Sequence, residues 1–91
     1  MPVFSRYQGW YVYFWANEEG EPIHFHIAKG QPVPNATKVW ILHDDTFRLE
    51  NNNSEVPIRV LRRIYSLMLL NLEDYKKLWL EYQKTLTYFD D

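Results

Sequence analysis

The sequence contains no cysteine, and this absence excludes several functions at once. Without thiols the chain can form neither a disulfide framework nor a cysteine-based zinc site, and it offers no cysteine nucleophile. Glycine is also scarce, with three residues, and there is no glycine-rich phosphate loop and no serine nucleophile motif. The absence of cysteine fits a protein of a reducing compartment.

Long apolar runs and a strong excess of charge are absent as well. The apolar segments fall far short of the roughly 20 residues that a membrane-spanning helix needs, and the N-terminal residues lack the pattern of a signal peptide. We therefore expect a cytoplasmic protein without membrane association. Ten lysine and arginine residues against twelve acidic residues give a formal net charge of −2, which argues against nucleic acid as a partner.

Aromatic side chains are what the sequence has in excess. They make up 18% of the 91 residues, within a hydrophobic fraction of 46%. Large aromatic side chains supply much buried apolar area to a chain too short for an extensive core. The length predicts a single domain over residues 1–91, with a β half over about 9–50 and an α half over about 54–89.

Strand-forming residues dominate the first half. Residues 10–16 are rich in aromatic and β-branched side chains, residues 17–22 favour a turn, and residues 23–27 alternate apolar side chains with histidine. This pattern predicts a β-hairpin. A third strand is predicted at 38–42 and a fourth at about 46–49, which the asparagines that follow would end.

Helical periodicity marks the second half. Ser54 is a plausible N-cap for a helix over 55–70, and Asn71 for a second helix that follows with almost no loop. The expected inward stripes are Ile58, Leu61, Tyr65, Met68 and Leu72 in the first helix, and Tyr75, Leu78, Trp79, Tyr82, Leu86 and Phe89 in the second. The predicted fold class is α+β: an antiparallel meander of three to four strands followed by a C-terminal helical hairpin packed on one face.

Symmetric closure of the first hairpin sorts its side chains onto two faces. Tyr13 would then lie opposite His26 and Val12 opposite Ile27, and the aliphatic residues of both strands would face the helices. The other face would carry aromatic and imidazole side chains. The candidate binding residues are Tyr11, Tyr13, Trp15, His24, His26, Lys29 and Trp40, of which Trp40 fits either face.

Besides a purely structural role, three hypotheses fit this aromatic and histidine face. In the first, it binds a protein partner, either a second copy of the chain or a different protein, because tyrosine and tryptophan are favoured at interfaces. In the second, His24 and His26 chelate one divalent metal ion, with Glu21 or His43 as the candidate third ligand. In the third, one histidine acts as a general acid or base, and a carboxylate of the 17–21 turn could also act chemically. Apart from such an ion, the sequence implies no cofactor.

A compact basic stripe lies on the first predicted helix. Arg59, Arg62 and Arg63 could together accept a phosphate group. Glu55 lies four residues before Arg59, however, and this spacing favours a solvated face with salt bridges.

One motif comprises Gly9 and the aromatic strand after it, Pro22 followed by His24-x-His26, and Lys29-Gly30. It resembles the pattern of a family of small bacterial proteins, domain of unknown function 4160. It continues through Ala36, Lys38, Trp40 and Leu42, then Leu61, Ile64, Trp79 and Tyr82 in the C-terminal half. The chain differs from the family pattern at Ile23, where a second proline is usual, and over 31–35, which looks like a lengthened loop.

The resemblance implies a gene neighbourhood and a kind of partner, but no catalytic residues. Genes of such proteins often lie beside a gene of family 2442, and these pairs have been proposed as toxin and antitoxin modules. It therefore implies a small bacterial interaction domain whose partner is a family 2442 protein or a second copy. The alternative function is a metal- or histidine-dependent hydrolase, an RNase-like toxin that uses His24 and His26.

Overall fold

Five strands form one antiparallel sheet in the computed structural model, which describes residues 2–18 and 20–91. Each strand pairs with the next along the chain, so the sheet is a meander. Two helices follow it. The elements are β1 (Val3–Tyr7), β2 (Trp10–Tyr13), β3 (His24–Lys29), β4 (Thr37–Ile41), β5 (Phe47–Asn51), α1 (Ile58–Leu70) and α2 (Leu72–Gln83).

The α+β class and the order of strands before helices are confirmed, but the sheet has one strand more than the sequence predicted. The additional strand is β1, which lies before the expected start of the β half at residue 9. It joins β2 through a two-residue turn in which Gln8 and Gly9 have φ angles of 47° and 85°. Positive φ at both positions is typical of the type I′ turn that links twisted antiparallel strands.

The register of the β2–β3 pair agrees with the predicted one, but β2 ends at Tyr13, so the predicted strand over 10–16 is three residues too long. Val12 lies opposite Ile27, and Tyr13 lies opposite His26. On the other side of β3, Trp40 of β4 lies opposite His24. Since directly opposed residues share a face, this pairing places Trp40 on the histidine face.

Both helices cover the opposite, aliphatic face of the sheet. The Tyr75 ring of α2 makes edge contacts with Phe4, Phe14 and Phe25, and Tyr65 of α1 contacts Phe47 of β5. The buried core comprises Trp10, Val12, Phe14, Ile23, Phe25, Ile27, Val39 and Ile41 from the sheet half and Val56, Val60, Leu61, Ile64, Met68, Leu72, Tyr75 and Trp79 from the helical half.

The predicted start of the first helix was wrong. Ser54 does not cap it, because its hydroxyl accepts a hydrogen bond from the amide of Thr37 at 3.1 Å, and the helix begins at Ile58 after Pro57. Ile58 was expected to point inward but is 62% exposed. The buried stripe instead comprises Val60, Leu61, Ile64 and Met68.

The second helix is shorter than the predicted stripe. It ends at Gln83, and Lys84 adopts a left-handed conformation with φ 69°, so Leu86 and Phe89 lie in an irregular C-terminal tail. This tail, residues 84–91, runs back along the sheet, where the amide of Ile23 donates to the carbonyl of Thr87 at 2.8 Å. Within residues 2–18 and 20–91, neither helix has the length and apolar character needed to cross a membrane.

Candidate metal centre

Glu18 occupies the centre of the connection between β2 and β3. Its Oε1 accepts a hydrogen bond from the Trp15 amide at 2.7 Å, and its carbonyl accepts one from the Glu21 amide at 3.1 Å. Gly20 has φ +90°, a conformation that glycine adopts without strain. These local contacts fold the turn back over the sheet, so that the second carboxylate oxygen of Glu18 points at the two histidines of β3.

Both histidines contact that single oxygen. The Nε2 atom of His24 lies 2.6 Å from Glu18 Oε2, and the Nε2 atom of His26 lies 3.2 Å from it. His24 and His26 are two residues apart on one strand, so their rings lie on the same face, with centroids 5.0 Å apart. One donor atom from each of the three side chains lies within 4.8 Å of the other two.

Hydrogen bonds hold both nitrogens of the His24 ring. Its Nδ1 atom lies 2.8 Å from the carbonyl oxygen of Pro22, which can only accept, so Nδ1 is placed to donate. Its Nε2 atom faces the Glu18 carboxylate at 2.6 Å. The Nδ1 atom of His26 is buried and has no hydrogen-bond partner among the described residues.

Burial and hydrogen bonding act on Glu18 in opposite directions. Burial alone would raise the pKa of its carboxyl group, because a charge is costly away from water. The hydrogen bonds from His24 and His26, together with the positive charge of His24, outweigh this and hold the pKa well below the usual range of glutamate. Glu18 is therefore a carboxylate at any pH near neutral.

Aromatic rings enclose the cluster. The ring of Trp40 lies 5.4 Å from that of His24, and Trp79 of α2 lies 5.1 Å from it on another side. Tyr13 lies 5.5 Å from the ring of His26. The side chains of His24, Glu18 and His26 are 0%, 9% and 11% exposed. Little water reaches them, so their electrostatic interactions are stronger than they would be at the surface.

The backbone of the site strand is fixed from the helical side. The hydroxyl of Tyr75, a buried residue of α2, donates to the carbonyl of His24. The side-chain amide of Gln83, at the end of the same helix, donates to the carbonyl of Trp15 at 2.7 Å. One helix thus supports both the histidine strand and the turn that carries Glu18.

The distances from the Glu18 oxygen to the two histidine nitrogens are near those between ligands of a tetrahedral zinc ion. Ligands 2.0–2.1 Å from a tetrahedral zinc ion lie roughly 3.3 Å from one another. The separation of Glu18 and His26 is 3.2 Å, and that of Glu18 and His24 is 2.6 Å, so the latter pair would have to move apart by about 0.7 Å. The bond from His24 Nδ1 to a backbone carbonyl is the contact that orients a metal-ligating imidazole in known sites.

The structure brings most of the predicted binding residues together but buries them. Tyr13, His24, His26 and Trp40 are between 0% and 8% exposed, and only Tyr11 and Trp15 remain half-buried. Lys29 lies apart from them, because it pairs with Trp10 and its Nζ lies 5.3 Å from that ring on the opposite face. The predicted aromatic face is therefore mostly interior.

Neither candidate for the third ligand joins the histidines. Glu21 pairs with Lys38 at 2.8 Å, and His43 pairs with Asp90 of the C-terminal tail at 2.6 Å. Glu18, which does join them, was missed as an individual residue, although the 17–21 turn was noted for its carboxylates. Its place two residues from glycine in a turn that precedes the histidine strand was the available signal.

A comparison with known protein families identifies the chain. The profile of the family described as Domain of unknown function (DUF4160) matches residues 9–80. The chain belongs to this family. The DUF4160 match includes Glu18, His24 and His26 and ends before the C-terminal tail. Comparisons with curated proteins and with solved structures find no match.

Proposed function

We propose that this DUF4160 chain is a domain that binds one divalent metal ion through Glu18, His24 and His26. The observation that carries the proposal is the convergence of two imidazole Nε2 atoms on one buried carboxylate oxygen. Imidazole and carboxylate ligands suit zinc, and the same set also suits iron(II). Zinc is the appropriate probe because it has no redox chemistry of its own.

The ion would take the place of a proton. Binding requires a free electron pair on Nε2 of each histidine, so His24 has to lose the Nε2 proton that it shares with Glu18. The proton on His26 has to move to Nδ1. We therefore expect zinc binding to release a proton to the buffer.

The three ligands match the number that a catalytic zinc site takes from the protein, but their burial hinders the access that a substrate would need. A hydrolytic zinc site keeps one coordination position open to water and substrate. Here the three ligand side chains are at most 11% exposed, and the rings of Trp40 and Trp79 contact that of His24. The RNase-like function that the sequence offered as an alternative thus has less support than ion binding. It would require the C-terminal tail to move away.

The hypothesis of a protein partner stays a prediction, as does a role in a toxin and antitoxin pair. Burial changes where such a partner could bind. Tyr13, His24, His26 and Trp40 are interior. Of the predicted aromatic and histidine face, a partner could therefore reach only Tyr11 and Trp15.

Zinc titration of four matched variants tests the proposal. Competition against a chromophoric chelator should give one zinc ion per chain for the wild type. Glu18→Gln and His24→Gln should weaken binding by about tenfold or more, because each removes a ligand. Glu21→Gln and His43→Gln, which change the same residue types outside the cluster, should bind within twofold of the wild type.

Each alternative result is decisive. Equal affinity in all four variants would contradict the proposal. Loss of binding in His43→Gln alone would place the ion in the exposed cluster of His43, Asp90 and Asp91, whose donor atoms also converge. To guard against misfolded variants, circular dichroism should accompany each titration, and saturating zinc should raise the melting temperature of the wild type.

A further inference from the structure

The outer side of α1 carries a cationic surface with apolar side chains beside it. Arg59, Arg62 and Arg63 are all exposed and line, with Ile58 and Ser66, a groove of about 360 Å³. Large apolar side chains flank the groove toward both ends of the helix. They are Ile58, Leu69 and Leu70, which are 62%, 56% and 82% exposed.

The three arginines have no acidic partner in the part of the chain that the structure describes. None of the ion pairs or side-chain hydrogen bonds of residues 2–18 and 20–91 includes their guanidinium groups. The salt bridge expected between Glu55 and Arg59 does not form. Glu55 precedes the helix and has φ 54°, so the two residues lack the helical geometry that would bring them together.

We propose that this face of α1 docks an acidic, amphipathic segment of a partner protein. Carboxylates of that segment would pair with Arg59, Arg62 and Arg63, and its apolar side chains would cover Ile58, Leu69 and Leu70. Arginine forms paired hydrogen bonds with carboxylates and is enriched at protein interfaces. Three guanidinium groups without an acidic partner among the described residues concentrate positive potential on this one helix.

Nucleic acid and membranes fit this surface less well. Phosphates could pair with the arginines, but a nucleic acid would leave the exposed isoleucine and leucines in water. A helix that lies on a membrane needs a continuous apolar face. The continuous apolar face of α1, which comprises Val60, Leu61, Ile64 and Met68, is already buried against the sheet.

The length of α1 sets the size of the partner segment. Thirteen helical residues extend about 20 Å, which matches three to four turns of a second helix. Since the exposed apolar residues lie toward the ends and arginines lie between them, the fitting segment has acidic residues at its middle and leucine-like residues toward both ends.

A synthetic peptide tests the docking surface. The probe is an acetylated 14-residue helix of leucine, glutamate and alanine with four central glutamates and leucines at both ends. We expect saturable binding in NMR titrations, with shift changes confined to α1. The double variant Arg62→Glu/Arg63→Glu should weaken binding by at least tenfold. Lys77→Glu/Lys84→Glu, with the same change of charge at exposed residues of α2 and of the start of the tail, should change it less than twofold.

Three further probes decide between the alternatives. A peptide with serine in place of each leucine should bind at least fivefold more weakly, and equal binding would overturn the apolar part of the proposal. Arginine-dependent binding of a single-stranded RNA dodecamer or of phosphatidylglycerol vesicles, with no binding of the acidic peptide, would overturn the choice of a protein partner. Equal peptide binding by the wild type and the arginine variant would contradict the proposal that this face of α1 is the docking surface.

Discussion

At the scale of single residues, Glu18 connects parts of the site that are otherwise separate. One of its carboxylate oxygens fixes the turn through the Trp15 amide, and the other lies between the two histidines of β3. Its counterpart Glu21, three residues later, makes a more exposed pair with Lys38. The same substitution at Glu18 and at Glu21 therefore compares a buried glutamate with a more exposed one in the same turn.

Removal of the Glu18 carboxylate should destabilise the fold. In Glu18→Ala, the Trp15 amide and His24 Nε2 lose their hydrogen-bond partner in a buried place. We expect a loss of about 2 kcal/mol in the free energy of unfolding. Glu21→Ala should lose less than about 1 kcal/mol, because its ion pair is partly solvated. Urea denaturation of both variants measures the difference in the free energy of unfolding. Equal losses would contradict the claim that the buried carboxylate of Glu18 stabilises the fold more than that of Glu21.

The lowered pKa of Glu18 also gives its contribution a definite pH dependence. The unfolded chain takes up a proton at Glu18 as the pH falls below about 4.3, whereas the folded chain resists protonation to a lower pH. Protonation therefore favours unfolding, and the stabilisation is complete above that range and lost in acid. The difference in stability between the wild type and Glu18→Ala should shrink steadily below pH 4.3. A difference that stays constant down to pH 2 would contradict this sign.

At the scale of elements, the C-terminal tail closes the end of the sheet over the site. The Phe89 ring stacks on Trp40 at 4.6 Å, and Asp90 accepts hydrogen bonds from both the amide and the ring of His43. The bond to Asp90 raises the pKa of the His43 imidazole. The stabilisation by this ion pair is therefore complete below about pH 6.5 and weakens as the pH rises through the raised pKa. Since Trp40 in turn contacts His24, the tail acts as an outer cover of the site.

Phe89→Ala should loosen this tail without unfolding the sheet. The loss of one aromatic pair is worth about 1 kcal/mol, or roughly a fivefold change in a local opening equilibrium. The reporter is the amide of Ile23, which donates to the carbonyl of Thr87. Its hydrogen exchange should become about fivefold faster, while that of Val39 in the central sheet stays unchanged. Leu80→Ala, on the exposed side of α2, is the control, and equal acceleration in both variants would contradict the role of Phe89.

At the scale of the whole molecule, the alternation of the strands carried most of the correct prediction. The period of two in residues 23–27 determined which residues share a face and the register of the first hairpin, and both agree with the structure. Local signals failed where a tertiary contact competed with them. Ser54 bonds Thr37 of a distant strand rather than capping a helix, and β1 was missed because its pairing partner, not its composition alone, makes it a strand.

The candidate site shows the same limit. The sequence identified His24 and His26, whose spacing is local, but it could not choose among the carboxylates of the preceding turn. That choice depends on the turn geometry that aims Glu18, and not Glu21, at the sheet. The burial of the face could not be read from the strands either. It results from the tail and from Trp79, which approach from the far end of the chain.

X-ray absorption at the zinc edge tests the metal centre most directly. Protein loaded with one equivalent of zinc and passed through a desalting column should retain the ion. The spectrum should show two imidazole nitrogens at about 2.0–2.1 Å and at least one carboxylate oxygen at 2.0–2.2 Å, with one imidazole lost in His26→Gln. Protein that leaves the column without zinc, or a first shell made of oxygen alone, would contradict the account.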